Sequence, residues 1–274
     1  MSTYSFPYPS LDFAYQGVDF AYMPVTQDLA DKMYSDGIRI VGRYLFNQRY
    51  PNGKGVSRQE CEYYINAGLA IYFYYEINTD DALNGYSRGY TNGLACLSEC
   101  NYIGVPDGTL IFCTCDTGVT DYQANHVVMD YLQGFIDGTN SDGNRHFKCG
   151  IYGGLNVVEA VDNNSINGAK CQAGAWGIEE YSPIEVRQWL IASNISALNL
   201  GKIRISNINI NSSGYASWNG YPVDLVSSPD VTNMWYGEQP QPPTPPEPPV
   251  PPTPPEPPVY PTSNMPIWFY LKKF

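Results

Sequence analysis

LAIYFYYEI, residues 69–77, is apolar or aromatic at every position until Glu76. A run of this kind suits a strand covered on both faces, which is how strands of parallel sheets read. TLIFCTCD, residues 109–116, repeats the pattern and ends on Asp116, with a tyrosine- and glycine-rich helical stretch between them at roughly 83–103. Strand, helix, strand with buried strands is the unit of an α/β fold.

The alternation extends in both directions. Upstream lie the predicted strand Gly17–Tyr22, a helix over Val25–Ser35, the strand Ile38–Leu45 and a helix over Ser57–Ala67, where Ser57 and Glu60 have capping-box spacing. Downstream come a helix at roughly 121–136, the strand Phe147–Tyr152, a short helix near 155–162 and the strand Cys171–Trp176. A helix at 183–193, opened by Ser182-Pro183, and the strands Lys202–Ser206 and Val223–Val226 complete the series. Eight strands alternating with helices predict a (β/α)8 TIM-like barrel.

Composition divides the chain. Most of the 23 prolines follow Glu238, where PPTPPEPPV occurs twice in tandem, at 242–250 and 251–259. The expected organisation is an N-terminal arm (1–14), a barrel (15–238), a proline-rich stalk (239–263) and a short apolar peptide (264–274). The stalk should adopt polyproline II, about 56 Å for eighteen residues at ~3.1 Å each. The peptide carries Trp268, Phe269, Tyr270 and Leu271 and is too short to bury them itself, so docking to a protein assembly is expected.

A net charge of −12 with 15 Lys and Arg argues against nucleic acid and against an anionic membrane surface. No stretch has the roughly 20 apolar residues of a transmembrane helix, and the opening residues lack the pattern of a signal peptide, so synthesis in a cytoplasm is expected. The seven cysteines lack zinc spacing and read as buried free thiols. No cofactor or metal is expected, since Walker, dinucleotide and GxSxG patterns are missing and the two histidines read as structural.

In TIM-like barrels the functional groups sit at the C-terminal strand ends. Here these are Asp19, Arg43, Glu76, Asp116, Tyr152, Trp176 and Asp224, of which four are carboxylates. Paired carboxyl groups are the usual means of breaking a glycosidic bond, one donating a proton and the other acting as nucleophile or activating water. Asp116, Glu76, Asp19 and Asp224 are therefore the candidate catalytic residues. Arg43, Tyr75, Tyr152, Trp176 and Trp218 are candidate substrate contacts.

Seven short segments, YQGVDFAY (15–22), IVGRYLF (40–46), GLAIYFYYE (68–76), LIFCTCD (110–116), KCGIYGG (148–154), GAWG (174–177) and YPVDLV (221–226), stand in an order that resembles the glycoside-hydrolase-like TIM-barrel family related to family-25 lysozymes. The resemblance spans roughly 15–230 and matches Asp19, Arg43, Asp116 and Asp224 to family positions. It implies a carbohydrate-directed barrel acting on bacterial cell-wall polysaccharide, of a kind frequent in phage lysins and tail proteins. That would make the protein virion-associated or released on lysis. Family-25 lysozymes carry Asp-x-Glu after the fourth strand, whereas this chain has Asp116-Thr117-Gly118. Two readings stay open: a peptidoglycan hydrolase with Glu76 as the partner of Asp116, and a non-catalytic glycan-binding or structural virion module.

Overall fold

The computed structural model describes residues 8–46, 54–176 and 179–237. The stalk at 239–263 and the peptide with Trp268, Phe269, Tyr270 and Leu271 lie outside the described residues.

Strands β1 (Tyr15–Asp19), β2 (Ile40–Tyr44), β3 (Ala70–Tyr75), β4 (Leu110–Thr114), β5 (Lys148–Gly153), β6 (Ala169–Gln172) and β7 (Val186–Gln188) follow one another in parallel. The expected barrel is present, with a different closure. β10 (Tyr221–Ser228) fills the gap between β7 and β1 and runs antiparallel to both. Its first residues also pair with a hairpin of β8 (Ile208–Ile210) and β9 (Ala216–Trp218).

Between the strands lie α1 (Gln27–Ser35), α2 (Arg58–Ala67), α3 (Gly85–Ile103), α4 (Asp121–Gln123), α5 (Met129–Thr139), α6 (Leu155–Asn163) and α7 (Ile191–Asn199). Ser57 caps α2, accepting the Glu60 N–H at 3.1 Å. The Glu60 carboxylate is taken instead by Arg43 and Tyr64, so only that half of the sequence's capping-box pattern is seen. The helix expected at 121–136 is α4 and α5 joined by a π-helical turn at Ala124–Val128.

Two expectations in the closing segment fail. Residues 183–193 do not form one helix: Val186–Gln188 is β7, and the helix begins at Ile191. Ile184 and Val186 are buried in alternation, the period of a strand, and this outweighs the Ser-Pro start signal. Lys202–Ser206 is not a strand either. Its amides are satisfied individually, Lys202 by the Ala197 carbonyl, Arg204 by the Gln16 side chain and Ser206 by the Asp36 carbonyl.

Period-two alternation sorts the strands into two cores. Inside the barrel are Ile40, Tyr72, Tyr74, Leu110, Phe112, Tyr152, Cys171, Val186 and Val226, with Met234 packed against them from the segment that bridges to Ile71. Between barrel and helices are Val18, Val41, Ile71, Phe73, Tyr75, Ile111, Cys113, Ile151 and Leu225. Gly42 makes room inside, since a Cβ there would lie 2.5 Å from the Tyr72 hydroxyl. All seven cysteines are unpaired and buried.

The tightest helix pair is α3 against α5. A Cβ on Gly89 would lie 2.0 Å from the Tyr131 carbonyl oxygen, and one on Gly134 would lie 2.2 Å from that of Tyr86. Gly89 and Gly93 are thus the contact surface of the helix, although glycine disfavours the helical state itself. No helix among the described residues is long and apolar enough to cross a membrane.

Candidate active site

The inward-facing set of side chains continues past the last paired residues of β3 and β4. Tyr72 and Tyr74 point inward, and so does Glu76; Phe112 and Thr114 point inward, and so does Asp116. Asp19 ends β1 on the same face. Asp224 sits mid-strand in β10 and is paired in register with Asp19, because the antiparallel strand brings its middle to this rim. All four carboxylates therefore line one cleft of about 340 Å³, together with Tyr44, Tyr74, Thr114, Tyr152, Gln188, Ile191 and Tyr215.

The carboxylates occupy different settings. Asp19 forms the floor and is 2% exposed. Its Oδ2 accepts from the Gln188 amide at 3.2 Å and from the Tyr74 hydroxyl at 3.3 Å. Burial, and then the Asp224 charge, push its pKa well above the usual carboxylate range, more than those hydrogen bonds restore. Asp224 is open to the cleft but enclosed by its walls; that enclosure and then the Asp116 charge raise its pKa. Asp116 is raised by partial burial first and by Glu76 second.

Glu76 is paired instead, its carboxylate accepting from Lys54 Nζ at 2.5 Å. The same ammonium stands 4.1 Å from the centre of the Tyr44 ring. Tyr44, Tyr74 and Tyr152 form a wall with neighbouring ring centres 5.4–5.5 Å apart. The Tyr152 hydroxyl donates to Gln188 at 2.9 Å, tying that wall to the amide that holds Asp19.

Of the five expected substrate contacts, only Tyr152 lines this cleft. Arg43 points outward from β2, donates to Glu60 at 2.7 Å and to the Phe20 carbonyl at 2.6 Å, and is 2% exposed. Tyr75 faces outward from β3, buried against Phe46 and Phe135. Trp218 is wholly buried, its indole N–H donating to Asp36 at 3.0 Å. Trp176 lines a separate depression beside the cleft.

Arg43, Tyr152 and Trp176 were expected from their place at strand ends, Tyr75 and Trp218 from their aromatic rings, but on the strands side-chain parity decides which residues reach the cleft. The same parity, carried back from Glu76 and Asp116 by twos, gives Tyr74 and Thr114, which were missed. Gln188 and Tyr215 carried no such signal, because β7 was read as helix and Tyr215 stands in the turn between β8 and β9. No group of three or more His, Cys, Asp or Glu placed to hold a metal occurs among the described residues.

The fold is shared with solved structures. The Mycobacterium tuberculosis Tat-secreted protein Rv2525c, in complex with HEPES, superposes with a TM-score of 0.59 at 17% identity, over 80% of this chain and 98% of that one. A B. stearothermophilus protein gives 0.52 at 17% identity, over 81% and 100%. A weaker likeness, 0.43 at 9% identity over 80% and 88%, is to a glycosyl hydrolase 25 of Streptococcus pneumoniae described as a virulence factor. Among curated protein sequences none matches. Residues 31–216 match the model of the Rv2525c-like, glycoside hydrolase-like domain, a span that takes in the barrel from α1 to β9, and the chain belongs to that family.

Proposed function

We propose that the cleft cleaves glycan strands of the bacterial cell wall, with Asp116 donating the proton to the leaving oxygen and Glu76 as its carboxylate partner. The observation that carries this is the contrast between two carboxyl groups on adjacent strands. Glu76 is ion-paired with Lys54, while no salt bridge reaches Asp116 among the described residues and burial raises its proton affinity. A carboxyl group of raised proton affinity beside an ion-paired carboxylate suits a general acid and its partner. In this reading Asp224, which lines the same cleft, opposes the positive charge that develops on the sugar ring.

The test is release of reducing ends from soluble glycan strands, with zymograms on several bacterial walls. Asp116→Asn should lower turnover by roughly two to four orders of magnitude, the usual contribution of a positioned general acid, with Tm unchanged. Glu76→Gln should act likewise. Glycan binding by the wild type without reducing-end release would favour a binding module instead. That reading is supported by Gly118, which stands where the related lysozymes carry their second acid.

Attachment to a phage particle or similar assembly through Trp268, Phe269, Tyr270 and Leu271 belongs to the same proposal and rests on their apolar sequence. Deleting 264–274 should abolish incorporation while sparing any glycan activity.

A further inference from the structure

Beside the cleft lies a second depression of about 300 Å³, lined by Thr117, Gly118, Asp121, Asn156, Glu159 and Trp176 among others. It is built from the continuations of strands that also shape the cleft. Thr117 follows Asp116, and Trp176 follows Gly174 and Ala175, both of which line the cleft. Consecutive Cα atoms are about 3.8 Å apart, so in each loop adjacent residues line the two hollows.

The depression has a fixed aromatic side. The Trp176 carbonyl accepts the Leu155 N–H at 3.1 Å, pinning the backbone behind the indole to the start of α6. Gly154 allows that approach, since a Cβ there would lie 2.8 Å from the Trp176 Cβ. The indole edge is left open by Gly118, where a Cβ would stand 3.8 Å from Nε1. Polar groups share the lining: Asn156 donates to the Val119 carbonyl at 2.8 Å and to Asp121 at 3.3 Å, and Glu159 lies among them. A half-buried indole in a hollow that also holds hydrogen-bonding groups suits a sugar ring, which is apolar on its faces and hydroxylated at its edge. Among the described residues the lining has two carboxylates and no cation, so it suits a neutral or amine-bearing sugar rather than an acidic one.

We propose that this depression is a second sugar subsite, in which Trp176 stacks on a ring of the glycan whose neighbouring residues occupy the Asp116–Glu76 cleft. The inference rests on the glycan reading of that cleft and adds a requirement for length: a chain must reach from one hollow into the other. Trp176 acts only on binding and takes no part in bond cleavage.

The experiment measures affinity for peptide-free glycan strands fractionated by length, using the full chain bearing Asp116→Asn to prevent turnover. Affinity should rise between short and longer strands. Trp176→Ala should remove that rise, weakening the longer strands by about tenfold, the scale of one aromatic contact, while leaving the shortest ligand unchanged. Gly118→Leu should do the same by filling the depression, and it keeps the test open if the tryptophan variant folds poorly. Unchanged length dependence in a folded Gly118→Leu variant overturns the subsite and leaves the cleft intact. Absence of binding to strands of any length overturns both. Equal losses for all lengths would show that Trp176 supports the cleft rather than a second ring.

Discussion

Neighbouring residues on β2 and β3 have opposite fates. Arg43 and Tyr75 face outward and are locked into the layer between barrel and helices, whereas Tyr44 and Tyr74 face inward and line the cleft. Each pair differs by one position in the chain and by little in amphipathic character. The difference teaches that a strand end marks a neighbourhood, while parity assigns each side chain to stability or to function.

Substitutions on the outward face should cost stability and leave ligand affinity alone. Tyr75→Ala removes a ring packed against Phe46 and Phe135 and should lower stability by about 3–5 kcal/mol in chemical denaturation. Arg43→Ala strands the Glu60 carboxylate and should cost about 3 kcal/mol, the lower end for a broken buried pair because Glu60 keeps the Tyr64 hydroxyl. Unchanged stability in either variant would break the assignment by parity.

The inward face should behave in the opposite way, and Asp19 gives the sharper case. Its folded pKa is raised by burial and by Asp224, so the folded state binds its proton more tightly than the unfolded chain. Stability contributed by this group is therefore lost as pH rises from the unfolded value, about 4, through the folded one. Asp19→Asn should have the higher Tm at neutral pH, with the difference vanishing near pH 4. A constant difference across that range would mean that Asp19 is not the group responsible. The smallest effect belongs to Tyr44→Phe, which keeps the ring of the cleft wall. It should shift stability by less than about 0.5 kcal/mol, as for substitutions that remove no packing, while changing glycan affinity measurably.

Within the cleft, the two carboxylate pairs also differ. Glu76 and Asp116 come from parallel neighbours joined through α3, and both end apolar runs visible in the sequence. Asp19 and Asp224 meet across the antiparallel closure, where Asp224 is mid-strand rather than at an end. Its place on the rim was expected for the wrong reason: the strand-end rule assumes a parallel strand, and only the reversed direction of β10 brings Asp224 opposite Asp19.

The parallel strands β1 to β6 are legible in the sequence. Strands covered on both faces need continuous apolar runs, and those runs lie bare at 69–77 and 109–116. The sequence also put Glu76 and Asp116 on one rim, since each follows such a run. The direction of the eighth strand, the strand at Val186–Gln188 and the irregular path of Lys202–Ser206 were decided by tertiary structure. These segments are short, and their backbone groups are satisfied by partners distant in sequence, such as Gln16 and Asp36, which no local periodicity records. Tertiary structure likewise drew Trp218 into the core through Asp36 and set Trp176 in its own hollow, because for a lone aromatic residue burial depends on what packs around it and not on its neighbours in the chain.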